Sequence, residues 1–189
     1  MSRTRKKNVK MPPDAEQVIQ KRLQTLAYQE EIRTFFQRAV LMAILLCLLF
    51  GVFVGLTPMK NNAMFPRISA GDLILYYRLE HNLLSGDVIV FEKDSVQYVG
   101  RIVAKGGDTV EITEKEVLKI NNSIVLEHDI YYPTYPFEGG IAFPVTLNTD
   151  QFFVLGDYRE EAKDSRYFGP VNIKEIKGKV ISVIRRSGL

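Results

Sequence analysis

Residues 39–56 run for 18 positions without a charge, and that stretch constrains the topology of everything around it. At ~1.5 Å per residue, an uncharged helix of this length crosses a hydrocarbon core of ~30 Å with little to spare. Arg38 bounds the run on one side, and Lys60, four residues past its end, on the other. A cleaved export signal fits less well. The run begins late, exceeds the usual apolar region of such signals, and lacks a small-residue cleavage pair before a soluble start. The one cysteine, Cys47, lies inside it. A domain following this span therefore has no disulfide to rely on and must be held by its own apolar core.

Charge is distributed to match an anchor. Residues 1–38 carry nine Lys/Arg and four Asp/Glu, whereas the remainder carries 16 and 18. Basic residues before the span and none just after it set the N-terminus in the cytoplasm and the C-terminal domain outside the plasma membrane. The same asymmetry excludes a nucleic-acid binder, because no aromatic-interleaved basic patch follows the basic end. Neither metal-ligand spacing nor a phosphate-binding glycine loop is present, so no metal or cofactor is expected.

Residues 1–11 are polar and basic. Pro12-Pro13-Asp14 followed by Gln17 reads as a helix start, with Asp14 as the cap and Gln17 reaching back. Ile19, Leu23, Leu26, Ala27, Ile32, Phe35 and Phe36 recur at roughly helical spacing. They predict an amphipathic helix that lies on the inner leaflet through Lys21, Arg22, Arg33 and Arg38, or pairs with a copy of itself.

Beyond Met64 the texture changes to short apolar runs punctuated by Gly-Asp pairs. Residues 72–77, 87–91, 97–104, 109–113, 152–155 and 178–184 are rich in Ile, Val and aromatic residues and predict strands. Residues 117–120 and 123–126, separated by Asn121-Asn122, predict a hairpin with a two-residue turn. Tyr131-Tyr132-Pro133-Thr134-Tyr135-Pro136-Phe137 reads either as a partner-contacting loop or as a loop stapled to its own domain by its rings.

Four blocks carry more than strand propensity: Asn61-Asn62-Ala63-Met64-Phe65-Pro66; Ser85-Gly86-Asp87-Val88-Ile89-Val90-Phe91; Tyr98-Val99-Gly100-Arg101 leading to Gly107-Asp108; and Gly156-Asp157-Tyr158-Arg159 leading to Asp164-Ser165-Arg166. In order and spacing they resemble the motifs of the type I signal peptidases, the membrane-anchored serine peptidases of family S26. Pro66 stands three after Ala63, Gly71-Asp72 eight and nine after it, and Gly107-Asp108 seven and eight after Gly100. The resemblance implies a nucleophilic serine at position 63 and a lysine base at position 100. Such a dyad works only if an apolar pocket keeps the amine neutral so that it can take the hydroxyl proton. Here the positions hold Ala63 and Gly100, so neither member exists.

Further departures gather at the same place. Asn61 replaces a small hydroxyl residue that helps bind the oxyanion, Arg67 a usual threonine, Tyr158 a usual asparagine, and Ala162 a serine that braces the lysine. Asp164 and Arg166, structural supports in the family, remain and are expected to form an ion pair. An engineered knock-out accounts for Ala63 alone, whereas divergence accounts for all of the changes, since losing one member of a catalytic unit makes the other dispensable. No replacement dyad suggests itself. Lys105 lies five residues past Gly100 on the opposite face of a strand, Ser69 lies toward the following turn, and His81 and His128 have no partner at a suggestive spacing.

The resemblance implies a mainly β fold: a curled antiparallel domain from residues 57–113 and 151–189, with a small inserted lobe at 114–150. A cytoplasmic segment and helix at 1–38 and the anchor at 39–56 precede it. Functionally it points to the catalytically degenerate, SipA-type signal-peptidase-like proteins of Gram-positive pilus loci. These imply an accessory factor that binds pilin or other exported segments at a groove near Met64, Phe65 and Pro66, beside a sortase. Two other readings compete: an active peptidase cleaving signal peptides, and a membrane scaffold that self-associates through its long helix.

Overall fold

A computed structural model describes residues 13–127 and 130–185. The stretch before it and His128 lie outside the described residues. Two compact units divide the chain, one ending at Cys47 and the other starting at Leu48. The first unit is helical. Helix α1 covers Pro13–Leu48, so Asp14 sits in its first turn and does not act as the expected cap. Helical structure over Gln17–Phe53 is long and apolar enough, by length and composition, to cross a membrane.

Two expectations for this region need correction. At ~100° per residue, Ile19, Leu23 and Leu26 share one side of α1, whereas Tyr28, Ile32 and Phe35 fall on another, so no single amphipathic stripe forms. Helical structure also stops short of residue 56. A π-turn, Leu49–Phe53, closes the helical part, and strand β1, Val54–Pro58, follows. Freedom from charge suits a lipid-crossing helix and a sheet strand equally, so the sequence could not divide them.

In the second unit two antiparallel sheets form. Strands β2 (Leu73–Tyr77), β3 (Val88–Lys93), β4 (Val96–Lys105), β9 (Gln151–Leu155), β10 (Val171–Asn172) and β11 (Ile176–Ile184) join β1 in the order β1-β2-β11-β3-β4-β9-β10. Strands β5 (Thr109–Ile112), β6 (Leu118–Ile120), β7 (Ser123–Ile124) and β8 (Val145–Thr146) make the smaller sheet, ordered β7-β6-β5-β8. The inserted lobe therefore begins with β5, about five residues before the expected boundary. The predicted hairpin is present: Asn121 and Asn122 take φ of 52° and 68°, the left-handed pair a two-residue turn requires. Strands β1, β8 and β10 were not anticipated, the last two being too short to show a period.

Three of the four Gly-Asp pairs prove to be one repeated turn. Gly71, Gly86 and Gly107 have φ of 93°, 95° and 92°, values that favour glycine. Each following Asp accepts from the backbone N–H three residues earlier: Asp72 from Ser69 at 2.9 Å, Asp87 from Leu84 at 2.9 Å, Asp108 from Lys105 at 3.0 Å. These turns launch β2, β3 and β5, which explains their spacing without any catalytic role.

Candidate functional site

Ala63 lies in the turn-rich segment between β1 and β2, where the Met59 N–H donates to the Asp72 carbonyl at 2.8 Å. Ala63, Met64 and Ala162 are core residues, packed with Met59, Ile68, Ile74, Tyr76 and Val90. The positions expected to hold a nucleophile and its brace are thus apolar filling. Met64 is completely buried, so of the three residues expected to line a groove only Phe65 and Pro66 present surface.

At the base position, the backbone has been closed over. Gly100 sits on β4 opposite Ile89 of β3. A Cβ placed on it would meet Val154 Cγ1 at 2.6 Å and the Leu155 carbonyl oxygen at 3.2 Å. Val154 is fully buried. A side chain at Gly100 would have to displace Val154, so the space beside it belongs to the core. The oxyanion side has changed as well: Asn61 Oδ1 accepts the Ala63 backbone N–H at 3.1 Å. An oxyanion at Ala63 would need that N–H for itself, so Asn61 does not act as the amide donor its composition allowed.

Lys105 is exposed at the far end of β4, opposite Phe152 of β9, and does not approach Ala63 along the strand. Among the described residues, no group of three His, Cys, Asp or Glu could hold a metal.

The supports, by contrast, are complete. Asp164 caps helix α2, Ser165–Phe168, and accepts from Arg166 N at 3.1 Å. It also pairs with the Arg166 guanidinium at 2.9 Å and accepts Gly156 N–H at 3.0 Å, so the expected ion pair is present. Gly156 is packed against Ala162 Cβ and the Ala63 carbonyl, leaving no room for a side chain. Tyr158 N–H donates to Ala63 O at 3.0 Å, tying the last motif to the first.

Sequence reasoning passed over three residues of this framework. Arg101, next to Gly100, grips Asp157 through Nε at 2.8 Å and Nη2 at 2.5 Å, and reaches Gly86 O at 2.8 Å. Arg159 is fully buried, donating to Gly156 O at 2.8 Å, to Glu127 at 2.6 Å and to the Thr134 hydroxyl. The hint was the Arg in each motif: a charge beside a strand of apolar residues needs a built-in partner.

Thr134 and Glu127 belong to the inserted lobe, as does Tyr135, whose carbonyl accepts from Arg166 at 3.3 Å. Phe137 meets Tyr167 edge-on at 5.5 Å, and Tyr132 packs on Tyr158 at 4.6 Å. The aromatic loop is therefore stapled to its own domain, except for Tyr131, which is 76% exposed. Tyr158 in turn meets Phe65 at 6.2 Å. Partial burial, then the carboxylates of Glu161 and Glu160, raise the Tyr158 phenol above its usual value.

One more feature borders Ala63. Strand β9 pairs with β4 only from Arg101 onward, so residues 96–100 have a strand partner on the β3 side alone. A narrow slot separates this edge from residues 57–61; its volume is about 20 Å³. A hydrogen bond of 3.0 Å from Thr57 Oγ1 to Gln97 Oε1 bridges it.

Comparison with known proteins agrees with the motif order. The profile of a family described as Signal peptidase, peptidase S26, matches residues 32–184. Signal peptidase I of Bacillus licheniformis is 28% identical over 155 residues, covering 75% of this chain and 82% of that protein. Inactive signal peptidase IA of Staphylococcus aureus (strain Mu50) is 24% identical over 153 residues, covering 75% and 86%. Probable thylakoidal processing peptidase 2 of Arabidopsis thaliana is 26% identical over 135 residues, 64% of this chain, but the match spans only 35% of its own length. A crystal structure of a signal peptidase I from Enterococcus faecalis V583 is 25% identical, covers 53% of this chain and 97% of that one, and has a TM-score of 0.44.

Proposed function

This chain belongs to the signal peptidase family, peptidase S26, and from that premise we propose that it holds polypeptides without cutting them. In this reading it is a single-pass membrane protein with its N-terminus in the cytoplasm and its β domain outside. There it acts as an accessory factor for exported proteins. Its clients are segments of pilin subunits, received beside a sortase. The observation that carries the reading is the filling of the base position by Val154 while every support around it stays hydrogen-bonded. A merely damaged enzyme would leave a cavity or orphaned polar atoms there. Among the described residues, no buried side-chain nitrogen or oxygen lacks a partner.

Docking by strand addition suits the unpaired edge of β4. An extended segment entering beside residues 96–100 would gain main-chain hydrogen bonds, with side-chain contacts supplying selectivity. A slot of about 20 Å³ holds about one water, so the Thr57–Gln97 bond must open first. Replacing Thr57 by Val removes that bond, and the full-length protein then binds an extended client segment roughly fivefold more tightly, the worth of one ordinary hydrogen bond of ~1 kcal/mol. Weaker binding by the variant would place the client elsewhere.

The competing reading, an active signal peptidase, draws on the names of the relatives. Full-length protein in detergent is incubated with a preprotein bearing a small-x-small cleavage site, beside an active signal peptidase as control. No product is expected from this chain. Purified pilin-type subunits are expected to be retained by it. Product that disappears on a point change within this chain would refute the non-catalytic reading.

A further inference from the structure

One residue that differs from the family at the site does more than remove chemistry: Tyr158 completes an aromatic surface. Tyr158 packs between Tyr132, at 4.6 Å, and Phe65, at 6.2 Å. Phe65 is 43% exposed and Tyr158 is half-buried, so the cluster has an open side. Its place is defined: Tyr158 is bonded to the Ala63 carbonyl, and the slot ends at Asn61, two residues away. A segment leaving the slot past Ala63 meets these rings next.

The rim of the cluster is acidic. Glu160 and Glu161 directly follow the Tyr158-Arg159 pair and are both exposed. They lie close enough for their charge to act on the Tyr158 phenol. Arg159, between them and Tyr158 in sequence, is turned inward and neutralised by Glu127, so it does not cancel them. Ring faces attract cations, and adjoining carboxylates strengthen the attraction. Elsewhere on this protein the same chemistry is in use: Lys163 Nζ sits 4.1 Å over Tyr167, and the Arg78 guanidinium 5.3 Å over Tyr76.

We propose that Tyr158, Tyr132 and Phe65, rimmed by Glu160 and Glu161, form a seat for a cationic side chain, lysine or arginine, on the extended polypeptide the protein holds. This rests on the holding function proposed above and adds a selectivity that the small-residue preference of a hydrolysing relative would not have. Charge complementarity selects the occupant: an apolar side chain would gain the rings but leave the carboxylates unanswered, and an acidic one would be repelled.

The test uses full-length protein in a neutral detergent and labelled peptides of about twelve Val, Thr and Ser residues. One carries a central lysine, the second norleucine, the third glutamate. By fluorescence anisotropy at about 0.1 M salt, the lysine peptide binds roughly tenfold more tightly than the norleucine peptide, and the glutamate peptide more weakly than either. The lysine advantage shrinks at about 1 M salt. The pair Glu160→Gln with Glu161→Gln abolishes most of the advantage while norleucine binding and thermal stability stay unchanged, whereas Tyr158→Asn, which removes a ring both peptides use, weakens both and the lysine peptide more. Equal binding of the lysine and norleucine peptides overturns the cationic seat and leaves the holding function intact. Binding of none of the three overturns both.

Discussion

Putting serine and lysine back together, as Ala63→Ser with Gly100→Lys, leaves a preprotein uncut and makes the protein markedly less stable. The two changes differ in cost. Ala63 is 8% exposed at the margin of the core, so adding a hydroxyl costs about 1 kcal/mol at most if it meets water or a carbonyl. Gly100→Lys is another matter. Its Cβ alone would approach Val154 Cγ1 to 2.6 Å, and Val154 is a fully buried branched residue that cannot move aside freely. Overpacking of this kind costs ~1–3 kcal/mol before the amine is considered. The ammonium must then be buried or deprotonated, which adds a comparable penalty. A thermal melt of the full-length protein should therefore show most of the loss in the single Gly100→Lys variant and little in Ala63→Ser. Adding Val154→Ala should recover part of the stability but no cleavage, because Asn61 still occupies the Ala63 N–H. Measurable turnover by the double variant would mean that the base pocket survives.

Asp164→Ala removes ~3–5 kcal/mol, the largest loss expected from one polar side chain here. Three separate duties end at once. The carboxylate caps α2, holds the Gly156 N–H, and neutralises an Arg166 guanidinium that is fully buried. Left alone, that guanidinium keeps its bonds to the Arg159 and Ala162 carbonyls but has no counter-charge. The double variant Asp164→Ala/Arg166→Met should lose less than the sum of its parts, since the second change removes the stranded charge. The Lys177–Glu92 pair, whose side chains are 38% and 44% exposed, serves as the control. Glu92→Gln should change stability by less than ~1 kcal/mol. Unfolding of the full chain followed by denaturant titration separates these cases, and an Asp164→Ala variant as stable as Glu92→Gln would contradict the buried-pair assignment.

Several strands were readable because their chemistry is local. Residues 73–77 and 88–91 carry branched and aromatic residues after a Gly-Asp turn, and both became strands within a residue or two of expectation. The Asn121-Asn122 hairpin was readable for the same reason: few residue pairs accept two left-handed positions in succession. Strand β1 was not, since Val54-Gly55-Leu56 continues an apolar run whose first part is helical, and only pairing with β2 separates the two. The aromatic loop left two readings open, which the bonds from buried Arg159 and Arg166 resolve in favour of stapling.

Residue identities alone gave the family, the apolar anchor-length helix and the lack of a serine at position 63 and a lysine at position 100, because each is a matter of which atoms a residue possesses. The surroundings of Gly100, by contrast, are set by packing. Whether Gly100 faces a cavity or a neighbour depends on Val154, more than fifty residues away in the chain, and no local pattern encodes that approach. The same holds for Asn61, whose carboxamide could have donated or accepted until the turn brought the Ala63 N–H to it. Composition limits what a site can do; packing at long sequence separation fixes which of the remaining options is taken.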